Sequence, residues 1–184
     1  MPERTRTSFP EAFTIVHSEV IPAVERVDPA EVDAFCDALL AARRVFVTGS
    51  GRSGLIGRMF AMRLMHLGLT AHVVGDATTP AIGKGDLLLA ISGSGGTESV
   101  HTTIAGARKH GAAVAGVTRQ ADTRLAAEAD TVLVLPGVRP PESRQLLHSI
   151  FDQTLLLSLD AVGIMLMERT GQTQDDLAAR HTNL

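Results

Sequence analysis

The 184-residue sequence predicts an α/β fold: a three-layer α/β/α sandwich on a five-stranded parallel sheet in the order 2-1-3-4-5. Short apolar runs recur at Val45–Thr48, His72–Val74, Leu87–Ile91, Val114–Thr118 and Thr131–Leu135. They are almost continuously apolar rather than alternating, the pattern of strands covered on both faces. Amphipathic stretches at about 53–67, 97–110 and 121–128 alternate with them. Glycine-rich loops follow both the first run, "GSGRSG" from Gly49, and the third, "SGSGGTES" from Ser92.

In chain order, residues 1–8 read as a short frayed tail. Helical periodicity runs from about Pro10 to Val27 and again from Pro29 to Ala42, with Asp28 as N-cap and Pro29 at the first helical position. The strands and helices of the core then occupy 43–137, and "DATTPAIGKG" is a loop joining the second and third strands. After "PGVRPPES" one long helix is expected from about Ser143 to Thr170, followed by a tail. Its centre, "IFDQTLLLSLDAVGIMLM", is apolar nearly all round and approaches the length of a membrane span. Asp152, Gln153 and Asp160 argue against a membrane, so the helix must be covered on several sides, partly at a subunit interface. The whole of 1–184 is read as one domain.

Composition narrows the function. Hydrophobic residues at 45% and charged residues at 20% fit a soluble globular chain. A net charge of -3, with neither Trp nor Tyr, leaves no basic footprint and no base-stacking platform, so nucleic acid is not an expected partner. Cys36, the single cysteine, excludes an internal disulfide and a Cys-rich zinc site; its helical apolar position reads as core. "MPERTRTSFP" lacks the apolar centre of a signal peptide, so the expected location is cytoplasmic. No H-E-x-x-H or comparable cluster occurs, so neither metal nor cofactor is expected.

The first loop holds a literal G-x-G-x-x-G at Gly49, Gly51 and Gly54. Alone it does not separate a dinucleotide loop from a structural strand-to-helix turn, since Asp76 sits near where a ribose-binding acid belongs. The second loop shifts the balance. Gly93, Gly95 and Gly96 let backbone approach an anion, Ser92, Ser94, Thr97 and Ser99 offer hydroxyls, and a helix N-terminus adds N–H groups. In a 2-1-3-4-5 sheet the first and third strands are neighbours, so the two loops converge. A hydroxyl-rich second loop fits a compact phosphomonoester better than a pyrophosphate.

The expected phosphate ligands are Ser50, Ser92, Ser94 and Thr97, with N–H groups from Gly95 and Gly96 and close approach at Gly51. The competing reading for each hydroxyl is a helix N-cap. Arg52 reaches the phosphate or a sugar oxygen, or stays in solvent; Ser53 touches ligand or caps its helix. Thr79 before Pro80 shapes the pocket rim or a turn. His66, His101 and His148 fall on helices and read as satisfied core or surface histidines.

Strand–"GSGRSG"–helix followed by strand–"SGSGGTES"–helix resembles the sugar isomerase (SIS) domain. "VFVTGSGRSGLIGRMFAMRLMHLG", "VVGDATTPAIGKGDLLLAISGSGGT" and "LHSIFDQTLLLSLDAV…HTNL" resemble the 6-phospho-3-hexuloisomerase family over about 9–184. The resemblance implies interconversion of D-arabino-hex-3-ulose 6-phosphate and fructose 6-phosphate, as in the ribulose monophosphate pathway of formaldehyde assimilation. It also implies no metal or nucleotide, and a homotetramer with sites at subunit interfaces. Moving the carbonyl between C3 and C2 requires a base for the C2 proton, a shuttle for hydroxyl protons and donors to an enediolate.

Asp152 stands where the family usually has Glu, one methylene longer, and is the candidate base. Its apolar flanks Ile150, Phe151 and Leu155 are expected to disfavour its charged form, as a base requires. His181 in "RHTNL" matches the family's histidine-containing C-terminus and is the candidate shuttle, reaching a neighbouring subunit's sugar. Three alternatives remain. Another SIS isomerase would act on arabinose 5-phosphate or sedoheptulose 7-phosphate. A phosphosugar-sensing module would need a DNA-binding domain that two acidic N-terminal helices do not make. An NAD-dependent oxidoreductase leaves the second loop unexplained.

Overall fold

The computed structural model describes residues 7–137, 143–147 and 149–183. Two helices lead in, α1 (Phe9–Val24) and α2 (Pro29–Ala41). The first is fixed by Glu11, whose carboxylate accepts from the Ser8 N–H at 2.7 Å; the second by Asp28, which accepts from the Ala30 N–H at 2.8 Å. The core follows as β1 (Val45–Gly49), α3 (Gly51–His66), β2 (Ala71–Val73), β3 (Leu87–Ile91), α4 (Glu98–Lys109), β4 (Ala113–Thr118), α5 (Arg124–Glu128) and β5 (Thr131–Val134). The chain closes with α6 (Ser149–Thr170) and α7 (Gln174–Ala179).

All strand pairs are parallel and the sheet order is β2-β1-β3-β4-β5, as the sequence predicts. Alternation along β3 explains its unbroken apolar run. Leu87, Leu89 and Ile91 enter the core under α2, α3 and α6, while Leu88 and Ala90 enter the one under α4 and α5. All five are buried, so a polar residue anywhere along the strand would lose its water without a partner.

Some boundaries differ from the sequence expectation, each for a local reason. The helix read at 121–128 shortens to α5 because the Thr123 hydroxyl accepts from the Ala126 N–H at 3.2 Å and starts the helix there. The long helix starts at Ser149, not Ser143. Ser143 Oγ and the Arg144 N–H donate to the Glu19 carboxylate of α1 at 2.7 and 2.9 Å, pinning that segment outside the helical path. The C-terminal tail contains α7, capped where the Thr173 N–H donates to Asp176 at 2.8 Å.

α6 has a mean hydropathy of 1.6 and the length to cross a membrane, but 56% of that stretch lies buried inside the fold, against α1, α2 and α3. Leu157 and Ile164 remain exposed on it. Beside them α3 presents Leu55, Met59 and Met62, each half exposed or more, a stripe at i, i+4 and i+7. One exposed apolar surface is therefore shared by α3 and α6, and α1 exposes Phe9, Phe13 and Ile21 besides.

At the opposite edge of the sheet from the glycine loops, Asp86 joins α2, β1 and the loop before β3. Its buried carboxylate accepts from Arg44 at 2.6 Å, from the Gly83 N–H at 2.8 Å and from Arg43 Nε at 3.2 Å. The Arg44 hydrogen bond, then the Gly83 and Arg43 contacts, outweigh burial and lower its pKa from 3.8 to about 2. A carboxylate lowered by folding stabilises the fold in full above its unfolded pKa, and that gain is lost as pH falls through about 2. The shift corresponds to stabilisation on the order of 2 kcal/mol. In urea unfolding, the excess stability of wild type over Asp86→Asn should narrow by roughly that amount from pH 6 to pH 2. An excess that does not vary with pH contradicts this role.

Candidate active site

Two helix N-termini frame the site, and their cap residues behave unusually. Ser50 and Thr97 occupy the N-cap positions of α3 and α4 with extended backbone, yet neither side chain makes a cap hydrogen bond. Asp28, Thr123 and Thr173 all do. Ser50 Oγ instead meets Ser99 Oγ at 3.0 Å, tying the first loop to the second, and Thr97 Oγ1 meets Ser92 Oγ at 2.8 Å. The helix-cap alternative thus holds for position but not for bonding. The first-turn N–H groups of both helices keep their positive ends turned to one place.

The place they face is a cavity of about 320 Å³, near the lower end of the range for small-molecule sites. Ser50, Gly51, Arg52, Ser53, Ser92, Ser94, Thr97 and Asp152 all line it, together with Gly93, Arg119 and Phe151. Glycine is required where the backbone closes up. A side chain on Gly54 would collide with the Gly49 carbonyl, so α3 can leave β1 this tightly only with glycine there. Gly95 has φ +65° and a side chain there would overlap Thr123.

Gly95 and Gly96 do not line the cavity; they form the back of the second loop. The Gly95 N–H, expected to meet an anion, donates to the Ser92 carbonyl at 2.9 Å and closes the turn. The Gly96 N–H lies at 3.3 Å from Ser94 Oγ on the exposed side.

Asp152 is buried, but not among apolar groups as its sequence flanks suggest. Ser53 Oγ donates to its Oδ1 at 2.8 Å, and Arg52 Nε stands 3.2 Å from its Oδ2. Arg52 Nη1 also donates to Ser149 Oγ at 3.0 Å, so the guanidinium is braced across the first turn of α6. Arg52 and Ser53, adjacent in the first turn of α3, reach Asp152 because α3 packs along α6. The carboxylate is presented at the cavity wall by polar partners.

His181 lies elsewhere in the same chain. Its ring stacks on His66 at 5.2 Å, at the end of α3 remote from the cavity, about 24 Å of helix away. The Arg180 guanidinium holds this region by donating to the His66 carbonyl at 3.1 Å. Burial pushes the His66 imidazole pKa down, and His181 and Arg63 add to the effect. His148 lies outside the described residues. Thr79 makes a turn by donating to the Val73 carbonyl, and Asp76 is paired with Arg58 at 2.9 Å, away from the cavity lining.

Arg119 is the residue that sequence reading missed. It follows β4 directly, is buried, and lines the cavity. The available signal was its position just past the C-terminal end of a strand, the edge where parallel sheets carry ligands. With Arg52 it gives the lining two cations against one carboxylate, a balance suited to an anion.

The chain is similar to known proteins along most of its length. The model of the SIS domain matches residues 38–162, the span from α2 through most of α6. The 3-hexulose-6-phosphate isomerase of Mycobacterium gastri is 44% identical over 177 residues, covering 94% of this chain and 89% of that protein. The 3-hexulose-6-phosphate isomerase of Bacillus subtilis is 39% identical over 160 residues, covering 84% and 86%. Among solved structures, a Methanococcus jannaschii protein with an inferred 3-hexulose-6-phosphate isomerase function superposes with a TM-score of 0.84. It is 34% identical, with 95% of this chain and 99% of that one covered. With a family model over most of the chain and this extent of identity, the chain belongs to the SIS domain family, among its 3-hexulose-6-phosphate isomerases.

Proposed function

We infer that this chain is a phosphosugar isomerase that interconverts 3-hexulose 6-phosphate and fructose 6-phosphate through a 2,3-enediol. The observation that carries the reading is the convergence of two helix N-termini, with uncapped hydroxyls, on one small cavity holding a buried carboxylate. The phosphate sits against Ser50, Ser92, Ser94 and Thr97, and this remote binding fixes the register of C2 and C3. Asp152 takes the C2 proton of the 3-hexulose and returns it to C3. Ser53 orients the carboxylate, and Arg52 stabilises the negative charge that develops on the enediolate oxygen. The side chain of Arg119 contributes a second positive charge at the cavity wall.

His181 moves the hydroxyl proton between O2 and O3 in a neighbouring subunit, since its own chain's cavity lies at the other end of α3. That role requires an oligomer. The Leu55–Met59–Met62 stripe with Leu157 and Ile164 is the interface, in a homotetramer whose sites lie between subunits. The setting is the cytoplasm, within the ribulose monophosphate route of formaldehyde assimilation. No metal or cofactor takes part in these steps.

Supplied with 3-hexulose 6-phosphate and coupled to enzymes that consume fructose 6-phosphate, the protein should turn over. Asp152→Asn keeps the shape but cannot take a proton, so kcat should fall by roughly 10²–10⁴-fold with KM little changed. Asp152→Glu restores the longer arm and should retain substantial activity. An Asp152→Asn enzyme within about threefold of wild type would assign the base to another group.

Light scattering should report a tetramer at micromolar concentration. Placing lysines at Met59 and Met62 together should reduce the particle size and the activity in parallel, because charge on a buried apolar face opposes association. A monomeric, fully active wild type would remove both the interface and the role of His181.

A further inference from the structure

The C-terminal histidine rests on a second histidine that the proposed chemistry does not use. His66, the last residue of α3, is buried, and the two rings stack with 5.2 Å between centroids and 21° between planes. Offset stacking at that separation is a favoured aromatic geometry. The backbone around the pair is fixed as well. Just past the end of α7, Arg180 Nη1 lies 3.1 Å from the His66 carbonyl oxygen, 2.8 Å from Gln172 Oε1 and 3.1 Å from the Asp176 carbonyl oxygen. Its guanidinium passes over Gly68, where φ is +82° and a side chain would crowd it. The tail is docked at both its backbone and its ring.

Two properties of the pair suit a proton shuttle. His181 Nδ1 lies 3.1 Å from the Thr182 carbonyl oxygen, which can only accept, so Nδ1 carries the proton and Nε2 is the nitrogen left to exchange one. Burial first, and then His181 and Arg63, push the His66 pKa below the ordinary histidine value. At neutral pH that ring is uncharged, and it does not repel an imidazolium formed on His181.

The pair also sits where a neighbour can use it. The cavity is lined by the start of α3 and His66 ends that helix, so a partner's cavity is reached when two copies of α3 run antiparallel. The exposed stripe is placed for such a pairing. Leu55 lies four residues inside the start of α3 and Met62 four inside its end, so the stripe is centred on the helix. A twofold axis near Met59 then sets the His66 end of one copy level with the cavity end of the other.

We propose that His66 is a positioning residue for the proton shuttle: its ring holds the His181 imidazole at the end of α3 that meets the partner's cavity. The proposal rests on reading His181 as the group that moves the proton between O2 and O3. It requires a flat, uncharged ring at position 66 and not the ring nitrogens.

Two substitutions isolate the ring. His66→Phe keeps a flat, uncharged partner for His181, whereas His66→Leu fills a buried apolar volume without one. Each is followed by 3-hexulose 6-phosphate kinetics, light scattering and urea unfolding. His66→Leu should lower kcat by roughly tenfold to a hundredfold, the cost of misplacing a catalytic group, with KM within about twofold because the phosphate loops are untouched. His66→Phe should keep kcat within about threefold of wild type. The double variant His66→Leu/His181→Ala should match His181→Ala alone, since a residue that acts through His181 has nothing further to lose.

A further loss in the double variant overturns the proposal, as does equal kcat in the Leu and Phe variants. Unfolding or a smaller particle in His66→Leu also overturns it, marking the ring as a support of fold or interface. The reading of His181 fails separately. His181→Ala with wild-type kcat sinks the shuttle and the positioning role together, whereas an inactive His181→Ala beside a fully active His66→Leu sinks the positioning role alone.

Discussion

β1 pairs directly with β3 while β2 lies on the far side of β1, and everything at the site depends on that displacement. Val47 and Leu89 are register partners, as are Gly49 and Ile91, so the two strands end level with one another. The loops that leave them must then rise side by side. Their helices, α3 and α4, diverge to opposite faces of the sheet, because one packs in each of the two hydrophobic cores. Diverging helices with adjacent starts bring two positive N-terminal ends to one point. The hydroxyl contact between Ser50 and Ser99 closes that geometry at 3.0 Å.

The long helix α6 completes the site from the side. It is buried through Phe151, Leu155 and Leu159, and this packing carries Asp152 to the cavity wall. A buried carboxylate without partners would be costly, and Arg52 with Ser53 meets that cost. The same contacts join the first glycine loop to α6. In the proposed reaction the residue that holds the carboxylate in place, Arg52, also meets the charge that develops on the enediolate oxygen.

The strands were legible because burial on both faces leaves its mark in unbroken apolar runs, and their order because strands alternating with helices fit a doubly wound parallel sheet. The hydroxyls of the two glycine loops were legible as residue types, and the structure brings Ser50, Ser92, Ser94 and Thr97 to one cavity. Features set by distant side chains were not legible. The start of α6 depends on Glu19, more than a hundred residues away, and the surroundings of Asp152 depend on Arg52 and Ser53 in α3. Local sequence around Asp152 shows apolar neighbours that point along α6, not the polar groups that meet the carboxylate. His101 reads as a satisfied histidine, which it is; that one of its partners is the loop carbonyl emerges only in three dimensions. α3 carries its exposed methionines on the same amphipathic pattern that buries Phe60 and Leu64, so core and interface stripes are not separable by periodicity.

The central claim is that the cavity supports proton transfer between C2 and C3 of a phosphorylated ketose. Incubating the protein with fructose 6-phosphate in deuterated water and following the carbon-bound protons by NMR tests it directly. Abstraction through a 2,3-enediol predicts exchange of the C3 proton, abolished by Asp152→Asn. Exchange confined to C1 would contradict the account, because it belongs to an aldose–ketose enzyme working through a 1,2-enediol.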